Sequence, residues 1–372
     1  MTEPLKKLTI KGFKSIESLE NFEFGELNVL IGANGAGKSN FVDFFRMLRA
    51  MADESLQQFV IERGGADGFF YMGPKHTPEI TAKLVFGQNA YEFDLAATAN
   101  EKMLVRREAT RYRDQEAQPL DRGNTESVLR NFRNEKSAAQ PDNPDVGHHV
   151  YKAVSNWMVY HFHDTSLLAP MRRERSVRDQ FDLRHDASNI APFLLGLRED
   201  AEHKGNYDLI CDTVRMVAPF FDDFFLEPKI RGEAEVVRLE WRQKGSNYPF
   251  QPYQLSDGTI RFICLATALL QPTLPATVVI DEPELGLHPY AIDLLASLIQ
   301  SASARTQVIV STQSPALLDQ FEPKDIIVVG RQAGRSTFTR PNLEVLRRWM
   351  ERYTIAEMWQ NDILRGGGPT HE

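Results

Sequence analysis

The chain has 372 residues, 42% hydrophobic and 25% charged, which is ordinary for a packed globular protein. A formal net charge of -8 argues against a surface that binds polyanions everywhere, although a local basic groove is compatible with it. The longest apolar runs, such as Ala276–Ile280 and Val308–Val310, are strand-sized and far short of the roughly 20 residues a membrane helix needs.

The opening MTEPLKKLTIKGF lacks an apolar stretch of signal-peptide length, and Leu8, Ile10 and Phe13 predict a short strand there. Glu26–Ile31 reads as a strand running into a glycine-rich turn, and FVDFFRMLRAM then spaces Phe41, Phe44, Phe45 and Leu48 as a helix. Ile80–Phe86 and Tyr91–Leu95 predict a hairpin turning at GQNA, with more antiparallel strand through Arg111. From Asp114 to His149 the chain is polar and aperiodic, and is expected as a long or partly disordered loop. Asn189–Phe225 reads as helical, and strands resume near Val236–Trp241. A helix over Thr259–Leu270, a buried strand at Thr277–Ile280, a helix from Pro289 and strands at Gln307–Ser311 and Asp325–Val329 complete a mainly parallel sheet. The tail GGGPTHE is expected to be disordered. Cys211 and Cys264 sit in apolar stretches, read as small buried residues, and suit a reducing, cytoplasmic setting.

The chemistry concentrates in three places. Gly32-Ala-Asn-Gly-Ala-Gly37-Lys38-Ser39 satisfies GxxxxGK[ST] between a predicted strand and a predicted helix. Glycines there let backbone N–H groups curl around a phosphate at the positive helix end; Lys38 would neutralise phosphate and Ser39 would ligate Mg²⁺. Thr277–Ile280 delivers Asp281 and Glu282 at a strand end, where Asp281 can hold the Mg²⁺ shell and Glu282 can polarise water. Between them, Leu255-Ser-Asp-Gly-Thr259 precedes a helix and offers a second anion site, although Ser256 also reads as a plain N-cap.

This order of P-loop, LSxG signature, DE strand and later polar loop resembles ABC-type ATPase heads. The opening LTIKGFKSIESL…LNVLIGANGAGKSN is similar to the RecF/SMC branch and to stand-alone bacterial ATPases of that type. The resemblance spans most of the chain, while its specific motifs occupy a small part of it. It implies an α/β P-loop NTPase head with a mixed β lobe, a helical insertion and a parallel-sheet core. The expected layout is one head over 1–372: an N-terminal β lobe over about 1–112, an insertion over about 113–235, and a signature and Walker B lobe over about 236–372. By motif, Asn34, Gly35, Gly37, Lys38, Ser39 and Asn40 would bind ATP. Ser256 and Gly258 would reach the nucleotide of a second copy, and Ser39 and Asp281 would hold Mg²⁺. Glu282 would be the base, and Glu284–Pro289 would cross the dimer interface.

Gln313 stands where the resemblance leads one to expect a switch histidine; it can donate a hydrogen bond but cannot change charge near neutral pH. His163 and Asp164 fall where the Q-loop belongs, and His161 and His163 read as packing or hydrogen-bonding residues rather than metal ligands. The implied activity is ATP hydrolysis coupled to head dimerisation, in DNA maintenance, repair or phage defence, with DNA and a separate effector protein as candidate partners and no membrane. A regulatory protein-binding module without DNA contact is the alternative. Lys102–Arg113 and Met171–Arg175 with Arg178 are basic clusters, but interleaved acidic residues favour solvated faces over DNA contacts. The long span between Lys38 and Ser256 disfavours a transporter ATPase, and the short stretch after Val329 leaves no room for a nuclease domain in cis.

Overall fold

The computed structural model describes residues 3–134, 145–361 and 363–364. Strands β1 (Lys7–Phe13) and β2 (Ile16–Glu23) form a hairpin, and β3 (Leu27–Ile31), wholly buried, leads through the glycine loop into α1 (Lys38–Ala52). After α2 (Leu56–Ile61) come β4 (Ile80–Phe86), β5 (Asn89–Ala97), β6 (Met103–Tyr112) and β7 (Gln118–Asp121), then α3 (Val146–Ser155) and β8 (Trp157–Tyr160). The chain continues through β9 (Arg175–Ser176), α4 (Ile190–Glu199), α5 (Lys204–Val217), β10 (Phe221–Phe225), β11 (Lys229–Arg231), β12 (Ala234–Val237), β13 (Glu240–Gln243), β14 (Pro249–Phe250) and α6 (Asp257–Leu270). It closes with β15 (Thr277–Asp281), α7 (Pro289–Ser303), β16 (Gln307–Thr312), α8 (Pro315–Leu318), β17 (Ile326–Gln332), β18 (Arg335–Thr339), α9 (Leu343–Met350) and α10 (Ile355–Gln360). Among the described residues no helix is long and apolar enough to cross a membrane.

The chain divides into two compact units. The first comprises Met1–Val159, Pro275–Val279 and Thr306–Glu372; the second comprises Tyr160–Leu274 and Ile280–Arg305. The first unit holds an antiparallel sheet in the order β2-β1-β4-β5-β6-β7 and a second sheet in the order β18-β17-β3-β16-β15-β8. In the second sheet β3 runs parallel to both β16 and β17, while β18 is antiparallel to β17. Helix α1 lies between these layers: Phe41, Val42, Phe44, Phe45, Met47 and Leu48 are buried, while Asn40, Asp43, Arg46 and Arg49 are half-buried on its polar side, the pattern of an amphipathic helix. Phe44 packs edge-on to Phe13 of β1, ring centroids 5.3 Å apart, and stacks on Phe93 of β5. Phe45 meets Trp157 of β8 at 5.1 Å, and Phe41 meets Phe338 of β18 at 5.2 Å. The α1 register that the Phe spacing suggested is therefore the register the two sheets use.

Asp43 of α1 is held by Lys14 at 2.6 Å and Arg46 at 2.7 Å. Burial alone would raise its pKa, but these hydrogen bonds and charges outweigh burial and hold it below its ordinary 3.8. A depressed carboxylate pKa contributes stability that is present above the unfolded value and lost as pH falls through the folded one. Asp43→Asn is accordingly expected to cost about 1–3 kcal/mol at neutral pH. The gap from the parent chain should close as the pH falls below 3.8, read by urea unfolding at both pH values.

The second unit carries two small antiparallel sheets, β10-β13-β14 and β11-β12-β9, beside helices α4 to α7. Helix α6 is buried continuously from Ile260 to Leu270 and packs on α5 and α7. Cys211 and Cys264 are both buried here. Burial pushes the Cys211 thiol up to about 12 and raises Cys264 as well, so neither is a nucleophile at neutral pH.

Several expectations change. Phe221–Phe225, read as the end of a helical block, is strand β10, because Pro219 follows Ala218 and cannot continue α5. The hairpin turn is Gly87-Gln88, with Asn89 and Ala90 already paired in β5. The polar 114–149 stretch contains β7 and the start of α3, while residues 135–144 lie outside the described residues. The tail at 366–372 is likewise outside them. Strand β18 follows β17 through Ala333 and Gly334, both at positive φ, the geometry of a tight hairpin turn.

Candidate functional site

In the first unit the glycine loop spans the gap between β3 and α1. Gly32 must be a glycine because an added Cβ would come closer than 3.0 Å to the Val329 carbonyl of β17. Gly37, the N-cap of α1, has φ +117, and a Cβ there would strike the Ser336 and Ser15 hydroxyls. The Lys38 side chain is buried and folds back over the loop, with Nζ donating to the Gly32 carbonyl at 2.6 Å and the Ala33 carbonyl at 3.2 Å. No acidic residue occupies the first turn of α1, so its positive end and its first amides are not neutralised from within the helix. Asn34 and Gly35 of the loop and Ser39 in the first turn of α1 are exposed.

Two serines that the sequence did not single out brace this loop. Ser336 of β18 donates to the Ala36 carbonyl at 2.6 Å and is paired with Ser15 Oγ at 2.7 Å. Asn40 Nδ2 donates to Ser15 Oγ at 2.7 Å, closing a chain of hydroxyls and amide beneath the loop. Arg331 of β17 also donates to the Gly35 carbonyl at 3.3 Å. Gln313 emerges one residue past β16, and because Thr312 pairs with Ile31 of β3 it leaves the sheet at the same edge as Gly32. Ligands of open α/β sheets bind at such carboxyl-end edges.

In the second unit Asp281, the last residue of β15, is buried, and Glu282 follows in the left-handed region at φ +43. His163 Nε2 donates to the Asp281 carbonyl at 2.9 Å, so this nitrogen carries the proton. His161 and His163 sit with ring centroids 4.2 Å apart. Ser256 is the N-cap of α6: its Oγ accepts from the Thr259 amide at 3.1 Å and contacts Thr259 Oγ1 at 2.8 Å. Ser256 is nevertheless exposed, so its hydroxyl faces solvent at the helix N-terminus. Gly258 lies against the Gly286 carbonyl, closer than any Cβ would permit.

Two arginines organise this unit. Arg261, buried within α6, donates to the carbonyls of Phe162 at 3.0 Å, His163 at 3.2 Å and Leu285. It joins the 162–163 segment, the signature helix and the loop after Glu284. Burial lowers its pKa, yet a guanidinium stays protonated, and three carbonyls offset its desolvation. Arg172 donates to the carbonyls of Thr165 at 3.1 Å, Leu255 at 3.4 Å and Pro252, and to Asp257 at 3.0 Å. The basic cluster at Met171–Arg175 therefore turns one arginine inward to hold the signature loop. The other cluster is neutralised strand by strand: Arg107 pairs with Glu92 and Asp94, Arg111 with Glu92, and Arg106 with Glu79. A lone arginine in the apolar run Ile260–Leu270 is a sequence signal that could have marked Arg261; nothing local marks Ser15 or Ser336.

Among the described residues there is no cluster of histidine, cysteine and carboxylates ready to hold a metal. The loop still fits a Mg²⁺ nucleotide, because Mg²⁺ is ordinarily held by one or two protein oxygens with phosphate and water completing its shell.

A strand, glycine loop and helix with a buried lysine, set on a sheet in which β3 lies between β17 and β16, defines a P-loop fold of the kind found in ABC/SMC-like heads. Residues 27–319 match the family described as AAA domain, putative AbiEii toxin, Type IV TA system, and the chain belongs to that family. No curated protein matches the sequence. Among solved structures, the fold is similar to an Smc head bound to the C-winged helix domain of ScpA, at TM-score 0.57 and 15% identity, covering 93% of this chain and 99% of the other. It is also similar to an Smc head with an extended coiled coil, bound to the C-terminal domain of ScpA and derived from Pyrococcus furiosus. That match has TM-score 0.55 and 14% identity, covering 94% and 98%.

Proposed function

We propose that this chain binds and hydrolyses ATP with Mg²⁺ and that two copies close around the nucleotide, each completing the other's site. The observation that carries this reading is the buried Lys38 ammonium, folded over the glycine loop at the positive end of α1. In this reading Asn34, Gly35, Gly37, Lys38, Ser39 and Asn40 hold the phosphates, and Ser39 and Asp281 hold Mg²⁺, which neutralises charge on the phosphate oxygens when bound. Glu282 takes the proton of the attacking water, and Gln313 donates a hydrogen bond toward the γ-phosphate. The exposed N-terminus of α6 presents Ser256 and Gly258 to the nucleotide of the other copy.

Lys38→Ala is expected to weaken ATP binding by about a hundredfold, since it removes a charge-assisted contact to phosphate. Calorimetric titration of ATP reads this directly. Unchanged binding would place the nucleotide elsewhere and end the proposal.

The likeness to heads that are bound to a domain of ScpA supports a separate partner protein here, coupling ATP state to DNA maintenance, repair or phage defence. The carboxylate pairing of Arg106, Arg107 and Arg111 weighs against DNA contact through β6. That pairing favours, as a second reading, a regulatory module that holds or releases a protein according to ATP state. A pull-down with Mg·ATP and with ADP, repeated after nuclease treatment, separates the two readings.

A further inference from the structure

A cavity of about 420 Å³ opens in the second unit, away from the glycine loop in sequence and beside the signature loop. Four guanidiniums, those of Arg172, Arg173, Arg175 and Arg238, line it against a single carboxylate, Glu174. In a chain of net charge -8 this is a local reversal of sign. The charges are unequally committed. Arg172 is matched by Asp257 at 3.0 Å, and Glu174 is shared by Arg238 at 3.4 Å and Arg231 at 3.6 Å. Arg173 and Arg175 have no carboxylate within ion-pair distance among the described residues, and Arg173 Nε donates only to the Leu168 carbonyl.

The donors are also incompletely satisfied. The Nε atoms of Arg175 and Arg238 are buried and have no hydrogen-bond partner among the described residues. Buried N–H groups of a cation are costly to leave unmade, and a site for an anion is the arrangement in which they are made. Arg175 is fixed by backbone pairing, opposite Val237 in the β9–β12 ladder, and Arg238 is the residue that follows Val237 at the end of β12. The remaining wall is apolar and open to solvent, with Leu167, Leu168 and Tyr253 exposed by 74%, 72% and 59%.

From this geometry we infer that the cavity is a binding site for a nucleoside phosphate, either free or as one unit of a single strand, and that its occupancy is felt by the signature loop. A phosphate has three acceptor oxygens for several guanidinium forks, whereas a single carboxylate has two. Tyr253 and the two leucines offer a sequence-tolerant surface for a base. The volume lies within the range of small-molecule sites. Arg172 supplies the connection, because the residue lining the cavity also holds the Pro252 and Leu255 carbonyls and Asp257, on either side of Ser256. That coupling rests on the proposed role of Ser256; the binding site does not.

The test is fluorescence anisotropy of a labelled, 5′-phosphorylated oligothymidylate with the full chain carrying Lys38→Ala, so that the glycine loop does not take up competitor. Binding is expected, weakened about tenfold by Arg175→Gln and by a similar factor by Tyr253→Ala. Displacement by thymidine 5′-monophosphate at similar concentration would identify a free nucleotide as the ligand; displacement only by unlabelled oligonucleotide would identify a strand. No binding, unchanged affinity in both variants, or equal displacement by polyglutamate would overturn the proposal, the last by marking an acidic-peptide site. Tyr253 is exposed, so Tyr253→Ala keeps the test alive if Arg175→Gln fails to fold. In the chain that retains Lys38, oligothymidylate is expected to change the ATPase rate at least threefold, and Arg175→Gln to abolish that response with the unstimulated rate unchanged. Binding without any response would overturn the coupling alone. A chain with no ATPase activity at all would overturn the proposed function and leave the binding measurement standing.

Discussion

Glu282→Gln is expected to slow ATP hydrolysis by about 10²–10⁴-fold, the range for loss of a positioned general base, while leaving ATP bound. Glu282 follows directly on the buried strand β15 and has φ +43, an uncommon conformation for a residue with a side chain. Such conformations persist where surrounding structure imposes them, and they gather at sites that need a side chain aimed in one direction. Glutamine has the same shape and bears the same backbone cost, so the substitution removes basicity without a new strain. With hydrolysis stalled, the ATP-bound pair should accumulate. Light scattering with and without Mg·ATP is expected to show monomer turning to dimer. Hydrolysis at the parent rate would mean that another group is the base. Stalled hydrolysis with no change of mass would mean that a partner protein, rather than a second copy, completes the site.

The second large effect is expected at Gly258. Its position in α6 leaves no space for a Cβ, because the Gly286 carbonyl would lie closer than the 3.0 Å that real Cβ atoms respect. The obstacle is backbone, so Gly258→Ala must displace either the start of α6 or the loop at Glu284–Leu287. Arg261 ties that loop to α6 through Leu285, and Arg172 ties Leu255 and Asp257 to the segment at Thr165, so the displacement reaches Ser256. A misplacement of about 1 Å at a reacting constellation can cost 10²-fold, and a loss of that order in ATP turnover is expected. Binding of ATP to the glycine loop should be retained, since Lys38 and its carbonyl partners belong to the other unit. Calorimetry and phosphate release measured together distinguish this from a general loss of fold. Retained turnover would mean that the signature glycine is needed for packing only.

Much of this organisation was legible in the residues themselves, and for a local reason. The glycine loop, the strand ending in Asp281-Glu282 and the N-cap at Ser256 are short segments whose backbone requirements are written in adjacent residues: glycines at positive φ, β-branched runs, a serine before a helix. Helix α1 was readable because its phenylalanines repeat at the helical period, which gathers them on one apolar face. Strand β10 was misread as helix because helical apolar spacing runs past the proline that ends α5. Strand β18 was missed because Arg335–Thr339 is polar and has no period of its own; it is a strand because β17 offers it an edge.

What only the tertiary structure decided is which polar side chains turn inward. Ser15 and Ser336 are 321 positions apart and meet beneath the glycine loop. Arg172 and Arg261 look, in sequence, like surface charge and a helix impurity, yet each is buried because backbone carbonyls left unpaired by loops converge on it. A buried cation is tolerated only where such acceptors are gathered, and that gathering is a property of three-dimensional packing. The sequence by itself therefore determined the glycine loop, the Asp281-Glu282 strand end, the Ser256 cap and the class of fold, because these depend on neighbours along the chain. The bracing of the glycine loop, the clamp on the signature loop and the arginine-lined cavity were decided by folding, because they depend on neighbours in space.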